Sequence, residues 1–192
     1  MKVVLAIILI TILAPSVFAN SDTPADILGL YSDSEGFDTC LDDVGSLQVV
    51  ELFLILKNPS FDTLHGFEVG ISHPVLVEVV NTSFANTEAV NAGSEDNMIV
   101  SFDTPTTTET LTLLATVSLL YLDNQYASYF LDLVGADPGV LDPLYPALEL
   151  AEGQWIQAQT NTTSGTEHVF QINWCGVPVQ GVSFDRVKSL YR

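Results

Sequence analysis

Residues 111–122 read LTLLATVSLLYL, the most informative run in the chain for its fold class. The run lies between a polar loop that contains Thr104-Pro105 and a turn at Asp123-Asn124. Aliphatic and β-branched residues favour extended backbone, and turn residues at both ends limit the run to one strand. Both alternating faces of the run are largely apolar. We therefore expect a central strand, with one face covered by a second sheet and the other by a loop.

A period of two in apolar residues predicts further strands. It is clearest at 67–72, 98–103 and 170–175, where Phe, Val, Ile, Met or Trp occupy every second position. This alternation is typical of a strand with one buried face. Together with the intervening Gly, Pro, Asn and Asp turns, it gives about nine strands. The predicted strands are 27–32, 47–57, 65–72, 76–81, 98–103, 111–122, 128–134, 148–159 and 169–175.

Many short strands without an internal repeat predict a single all-β domain. We expect a two-sheet antiparallel sandwich over residues 20–176, preceded by a signal peptide at 1–19 and followed by a linker and tail at 177–192. The leader has a charged start, a short apolar run and small or modest residues before Ala19, the pattern of secretory signal peptides. Its apolar run is too short to be a transmembrane anchor, and no later run is long enough to span a bilayer, so no integral membrane span is expected after cleavage.

The charge balance excludes whole classes of function. The chain has 24 Asp and Glu residues against 5 Lys and Arg, a formal net charge of −19. No Lys or Arg occurs between Lys57 and Arg186. Nucleic-acid binding needs a basic surface that neutralises phosphates, so no nucleic-acid partner is expected. Because 47% of the residues are apolar, the sequence also does not fit intrinsic disorder.

Cys40 and Cys175 are the only two cysteines. In an exported chain an even count predicts a disulfide, and closing so long a loop would stabilise the domain by about 4–5 kcal/mol. Two free buried thiols are the alternative. A zinc site fits less well, because no paired histidines accompany the cysteines.

Several short motifs resemble known families. The LTLLATVSL run at 111–119, which follows a polar loop at 103–109, resembles the LATI strand of cohesin-type sandwiches. Most of the chain after the leader is similar to secreted, uncharacterised single-domain proteins of environmental bacteria. Those proteins share a GxYxD…C opening (here 29–40), a GFEV strand (66–69), a Cys-bearing last strand and, in some, a tail like 182–192. The resemblance implies an exported bacterial sandwich of Ig-like or cohesin-like type, and it implies no activity.

An acidic stretch is the best candidate for a cofactor site. Its five carboxylates are Asp33, Glu35, Asp38, Asp42 and Asp43. Calcium takes several oxygen ligands from a flexible loop, so calcium is the metal that this stretch would hold. The spacing is not that of an EF-hand, and a solvated acidic loop without metal is the alternative. No other cofactor is expected.

Trp155 is the candidate ligand-contacting aromatic. In a strand over 148–159, Trp155 shares parity with Gln157 and Gln159, so all three face solvent if no bulge at Gly153 shifts the register. An aromatic ring beside amides can contact a sugar. The alternative is a tryptophan at an edge or under a loop, because aromatic residues are largely buried.

The sequence gives little support to catalysis, and we expect no enzyme. It contains no Gly-x-Ser-x-Gly elbow, and His65, His73 and His168 lie at predicted strand or turn edges. A Cys175–His168 dyad would need a free thiolate. A glycoside hydrolase with paired carboxylates is a remote alternative, since a general acid needs a desolvated pocket that sequence cannot show.

The last ten residues differ from the acidic body. Apolar residues recur at helical spacing and three bases accompany them: Phe184, Arg186, Val187, Lys188, Leu190, Tyr191 and Arg192. One hypothesis is a C-terminal helix docked on the acidic surface of the same chain. The other is a sorting peptide or a helix that binds a partner.

These observations favour an exported, non-enzymatic binding or structural module, secreted or at the cell surface, with a periplasmic location as a further option. Its partner would be a protein or a glycan. The alternative is a glycan-binding module that uses Trp155 and nearby polar residues.

Overall fold

The computed structural model describes residues 24–125, 127–161, 168–173 and 175. The predicted signal peptide and the predicted tail lie outside these residues, as does Trp174. Within the described residues no helix is long and apolar enough to cross a bilayer.

The described chain is all-β, and thirteen strands account for its regular structure. They are β1 Ile27–Tyr31, β2 Cys40–Leu41, β3 Gln48–Lys57, β4 Thr63–Ser72, β5 Val77–Phe84, β6 Ala89–Asn91, β7 Asn97–Thr107, β8 Leu111–Tyr121, β9 Tyr129–Val134, β10 Ala147–Ala151, β11 Gln154–Gln157, β12 Gln159–Thr160 and β13 Phe170–Ile172.

The strands form two sheets. The five-stranded sheet has the order β12-β1-β3-β8-β5, so the apolar strands β3 and β8 are both interior, which confirms the position predicted for β8. The eight-stranded sheet runs β11-β10-β4-β9-β13-β2, and β7 pairs with the other edge of β4 and carries β6 beyond it. Along one edge of β4, β10 pairs with its first half and β9 with its end.

The core lies between the two sheets and consists of the side chains that point inward from alternate positions of each strand. Leu52 and Leu54 of β3, Val117 and Leu119 of β8, and Phe67 of β4 are buried completely. The Phe67 ring packs against two further phenylalanines at centroid distances of 6.0 and 6.2 Å. Burying apolar surface at roughly 25 cal/mol per Å² is the main stabilisation of such an interface.

The predicted sandwich is confirmed, with two differences in its strands. All nine predicted regions contain strands; β2 and β6 are additional, and the region 148–159 divides into β10, β11 and β12. The sheets are also mixed rather than wholly antiparallel, because β1 pairs with β12 and β13 pairs with β2 in parallel. Both parallel pairs join the first strands of the domain to its last strands.

The predicted disulfide between Cys40 and Cys175 is confirmed, with 5.4 Å between the two Cα atoms. It reinforces the β2–β13 pairing. Asn173 adds two bonds to Val44: its Oδ1 accepts from the backbone N–H at 2.7 Å and its Nδ2 donates to the carbonyl at 2.9 Å. The backbone N–H of Cys175 donates to Asp42 Oδ1 at 2.9 Å. Covalent and polar contacts therefore join both ends of the domain at one place.

Candidate binding surfaces

A row of outward-facing residues crosses the eight-stranded sheet. Strand register places one residue of each strand side by side, and the row is Trp155, Glu149, Gly66, Ser101 and Val90. Side chains at paired positions of a sheet point to the same face. We call this row the trough, because its central position carries no side chain.

The floor of the trough is closely packed. A Cβ atom at Gly66 would lie 2.4 Å from the Val100 carbonyl oxygen and 3.1 Å from Glu149 Oε2, so the strand accommodates only glycine here without movement. Glu149 Oε1 accepts the backbone N–H of Gly153 at 2.8 Å, which ties the carboxylate to the β10–β11 turn. Trp155 is half-buried at one end of the trough, and Val90 is 54% exposed at the other.

A loop at 135–146 borders the trough. Glu68, the next outward residue of β4 beyond Gly66, is only 4% exposed because this loop covers it. Its Oε2 accepts the backbone N–H of Val140 at 2.7 Å. Asn97 and Asp137 exchange two hydrogen bonds of 2.8 and 2.9 Å, which attach the loop to β7. Val140 itself is 56% exposed beside the trough.

The predicted set of Trp155, Gln157 and Gln159 is only partly brought together. Trp155 and Gln157 pair with Glu149 and Ala147 and share the outer face of the eight-stranded sheet. The prediction for Gln159 was wrong, because β12 leaves this hairpin and pairs with β1 in the other sheet. Gly153, at φ 75°, turns the chain inside what the sequence presents as one strand.

In the acidic loop, which connects β1 to β2, the Asp33 carboxylate is the main hydrogen-bond acceptor. The backbone N–H groups of Phe37 and Asp38 donate to its carboxylate, the former at 3.0 Å. Partial burial raises the pKa of Asp33, but the N–H groups of Asp38, Phe37, Glu35 and Gly36 outweigh it and hold the pKa below its ordinary value. These oxygens serve as internal acceptors for the loop.

The five predicted calcium ligands are not gathered around one point. Among the described residues, the single group of three or more possible ligand atoms within 4.8 Å of one another is Cys40, Asp42 and Cys175. Its two sulfur atoms are joined in the disulfide and are not thiolate ligands. In this conformation Asp33, Glu35, Asp38 and Asp43 therefore do not form a common oxygen shell.

Lys57, the only Lys or Arg among the described residues, holds the acidic loop against the outer face of the five-stranded sheet. Its Nζ donates to the Gly36 carbonyl oxygen at 2.5 Å and lies 4.7 Å from the Tyr31 ring centroid and 5.6 Å from that of Phe37. Burial, with the charge of Asp33, raises the pKa of Tyr31 to about 12. The loop is the cover expected for central strands with two apolar faces.

The histidines make structural contacts. His168 Nδ1 lies 3.0 Å from the Asp132 carboxylate, and its ring stacks on Phe130 at 4.5 Å. His73 Nε2 lies 3.8 Å from Asp96 Oδ2, where β4 ends and β7 begins. The disulfide removes Cys175 as a nucleophile, so a Cys175–His168 dyad is ruled out.

Asp123 is a structural residue that the sequence analysis took only as part of a turn. It is 7% exposed and accepts the N–H groups of Gln125 and Ala127 at 3.0 and 3.1 Å and the Tyr129 hydroxyl at 3.2 Å. Burial raises its pKa, but these donors outweigh burial and leave the pKa below its ordinary value. An Asp directly after a long apolar strand was the only available signal.

A second surface lies on the outer face of the five-stranded sheet, at the end where β3 and β5 begin and β8 ends. We call it the aliphatic patch. Its residues are Leu47, Val49, Leu76, Val80, Leu120 and Leu122. Val49 pairs with Leu120, and the N–H of Leu122 donates to the Leu76 carbonyl at 2.9 Å. Leu47 is 72% exposed and Val49 55%, so the patch is open to solvent.

This two-sheet architecture is that of a cohesin-like β-sandwich. The chain is similar in fold to the sixth cohesin of scaffoldin B from Acetivibrio cellulolyticus, solved in complex with a mutant Cel5 dockerin. The TM-score is 0.54 at 8% identity, and the match covers 78% of this chain and 99% of that one.

Two further cohesins match with lower TM-scores. A type II cohesin domain from the Acetivibrio cellulolyticus cellulosome has 13% identity over 79% of this chain and 96% of that chain, with a TM-score of 0.47. A cohesin module of a Clostridium perfringens family 33 glycoside hydrolase has 10% identity over 71% and 98%, with a TM-score of 0.47. No protein-family model matches the sequence, and no curated protein matches it significantly.

Proposed function

We propose that the protein is an exported, non-catalytic binding module that holds a protein partner in the trough of its eight-stranded sheet. The observation that carries the proposal is the cohesin-like sandwich, since the cohesin of similar fold was solved with a dockerin bound. The trough supplies what a protein-binding surface needs: an aromatic anchor, an exposed aliphatic residue and a flat floor between them.

The chemistry of the surface constrains the partner. The described residues carry 21 carboxylates and one base, whose amine is already bonded. Glu149 lies in the trough beside Trp155. Charge complementarity therefore favours a partner that presents Lys or Arg next to an apolar contact. The disulfide supports a secreted or cell-surface location, because disulfides persist in oxidising compartments.

The test is to immobilise the full chain, expose it to proteins in the medium of the cells that export it, and measure the affinity of the retained protein. Trp155→Ala is expected to weaken binding at least tenfold, since an aromatic anchor of an interface contributes roughly 2 kcal/mol or more. Phe37→Ala is the matched control, because Phe37 is an exposed aromatic on the acidic loop, away from the trough. Equal affinities for the two variants would contradict the proposal.

A glycan ligand is the second candidate, favoured by one observation. Trp155 shares its face with Gln157 and Glu149, so a ring and two hydrogen-bonding side chains are available together. A glycan array with the same two variants distinguishes the candidates. Saturable binding of an oligosaccharide that is lost in Trp155→Ala and kept in Phe37→Ala would show that the ligand is a sugar and not a protein.

A further inference from the structure

The aliphatic patch has an acidic rim. Glu51 is exposed on the same face of β3, two residues beyond Val49. Glu78 is exposed on β5 and pairs with Leu120. Contiguous apolar surface with a polar rim marks a site that another group covers. The charge of this rim requires a covering group that is basic.

The chain leaves the described body close to this patch. Cys175 is bonded to Cys40, and its N–H donates to Asp42 Oδ1. Only five residues lead from Asp42 to Leu47, a distance of at most about 17 Å. A segment that begins after Cys175 therefore starts at the end of the sandwich that carries the patch.

We propose that residues 183–192, which lie outside the described residues, cover the aliphatic patch of their own chain. The seven preceding residues can reach about 24 Å, enough to bring Ser183 to the patch. Ten residues at helical rise are about 15 Å long, and three neighbouring strands are about 10 Å across. The apolar positions Phe184, Val187 and Leu190 would lie on the aliphatic side chains.

The charge of the tail and its covalent connection to the domain both favour the tail as the segment that covers the aliphatic patch. The tail contains Arg186, Lys188 and Arg192, which complement Glu51 and Glu78. A second copy of the body would instead bring two acidic rims together, since the described residues of each copy carry 21 carboxylates against one lysine. A tethered segment also binds at a high effective concentration, so few contacts are sufficient.

Cross-linking of the intact chain tests the placement. Beyond residue 19 the lysines are Lys57, whose amine is bonded to Gly36, and Lys188. A carbodiimide joins amines to adjacent carboxylates, so we expect Lys188 cross-linked to Glu51 or Glu78. Glu88 and Glu109, exposed acids elsewhere, are the internal control. Links only to other acids, or only between differently isotope-labelled chains, would overturn the proposal.

Limited proteolysis with trypsin tests the role of the patch. Trypsin cleaves after Lys or Arg, and the tail holds three such residues. Val49→Asp in the intact chain should speed cleavage after Arg186 and Lys188 at least tenfold, whereas Val90→Asp on the other sheet should leave the rate unchanged. Equal rates in wild type and both variants would show that the patch does not hold the tail. A tail that serves only as a sorting or partner-binding peptide would give that result.

Discussion

Gly66 shows how one missing side chain shapes a surface. Its position has no room for a methyl group, because a Cβ would meet the Val100 carbonyl at 2.4 Å. Gly66→Ala should therefore lower the free energy of unfolding by about 1–3 kcal/mol, as overpacked positions do. Denaturation in urea measures it. Ser101→Ala, an exposed neighbour in the same row, should change it by less than about 0.5 kcal/mol; equal losses would refute the explanation.

The buried carboxylate of Asp123 predicts a pH dependence. Its pKa is lower in the folded chain than in the unfolded chain, so the stabilisation is present at neutral pH and is lost as pH falls through the folded pKa. Asp123→Asn replaces one acceptor oxygen by a donor that faces N–H groups, which lowers stability at neutral pH. Unfolding free energies measured from about pH 7 to about pH 3 should then fall less in the variant than in wild type. Asp103→Asn, on the exposed face of β7, should keep the wild-type slope.

The pairing of β2 with β13 depends on the disulfide, because β2 has only two residues and, within the described part of the chain, pairs with no other strand. Replacing both cysteines by serine should lower the unfolding free energy by about 2–5 kcal/mol. It should also speed hydrogen exchange at Gln171 and Ile172. Wild type in reductant should match the double variant. An unchanged unfolding free energy would mean that the polar contacts of Asn173 and Asp42 are sufficient on their own.

Sequence reasoning succeeded where burial repeats every second residue. The period of two located all nine predicted strand regions, and the two-sided apolarity of 111–122 correctly placed β8 at the centre of its sheet. The prediction of a single strand over 148–159 was wrong. The chain turns at Gly153 and β12 pairs in the other sheet, but neither change alters the alternation of apolar residues in the sequence. β2 was not predicted, because a strand of two residues shows no periodicity. It is stabilised by pairing with β13 and by the disulfide, both of which are distant in sequence.

The trough was only partly predictable for the same reason. The outward direction of Trp155 follows from parity along β11, and it was predicted. Its neighbours Gly66, Ser101 and Val90 come from three other strands. Register between strands that are distant in sequence places them there, and no spacing within one strand encodes that register.

At the scale of the whole molecule, like charges oppose the compact state. The described residues carry 21 carboxylates against one base. Self-repulsion between them is screened by salt, so the melting temperature should rise as NaCl increases from about 0.01 to about 0.5 M. A melting temperature that falls over this range would indicate that attractive pairs dominate instead.

Metal removal gives a separate test of the acidic loop. Since the described carboxylates do not surround a common point, a chelator at constant ionic strength should leave the melting temperature unchanged. A fall that added calcium reverses would establish the calcium site predicted from Asp33, Glu35, Asp38, Asp42 and Asp43.

The two parallel strand pairs have a consequence for how the domain comes into being. β1 at Ile27 needs Gln159, and β2 at Cys40 needs Gln171. Contacts of such long sequence separation form late, after the entropy of closing the chain has been overcome. β1 pairs with β3 on its other edge, so a chain that emerges amino end first carries an open edge of β1 and an unpartnered β2 until almost all of the sandwich has followed. Completion of the domain is thus coupled to delivery of its last strands, and an incomplete chain would expose those early edges to aggregation.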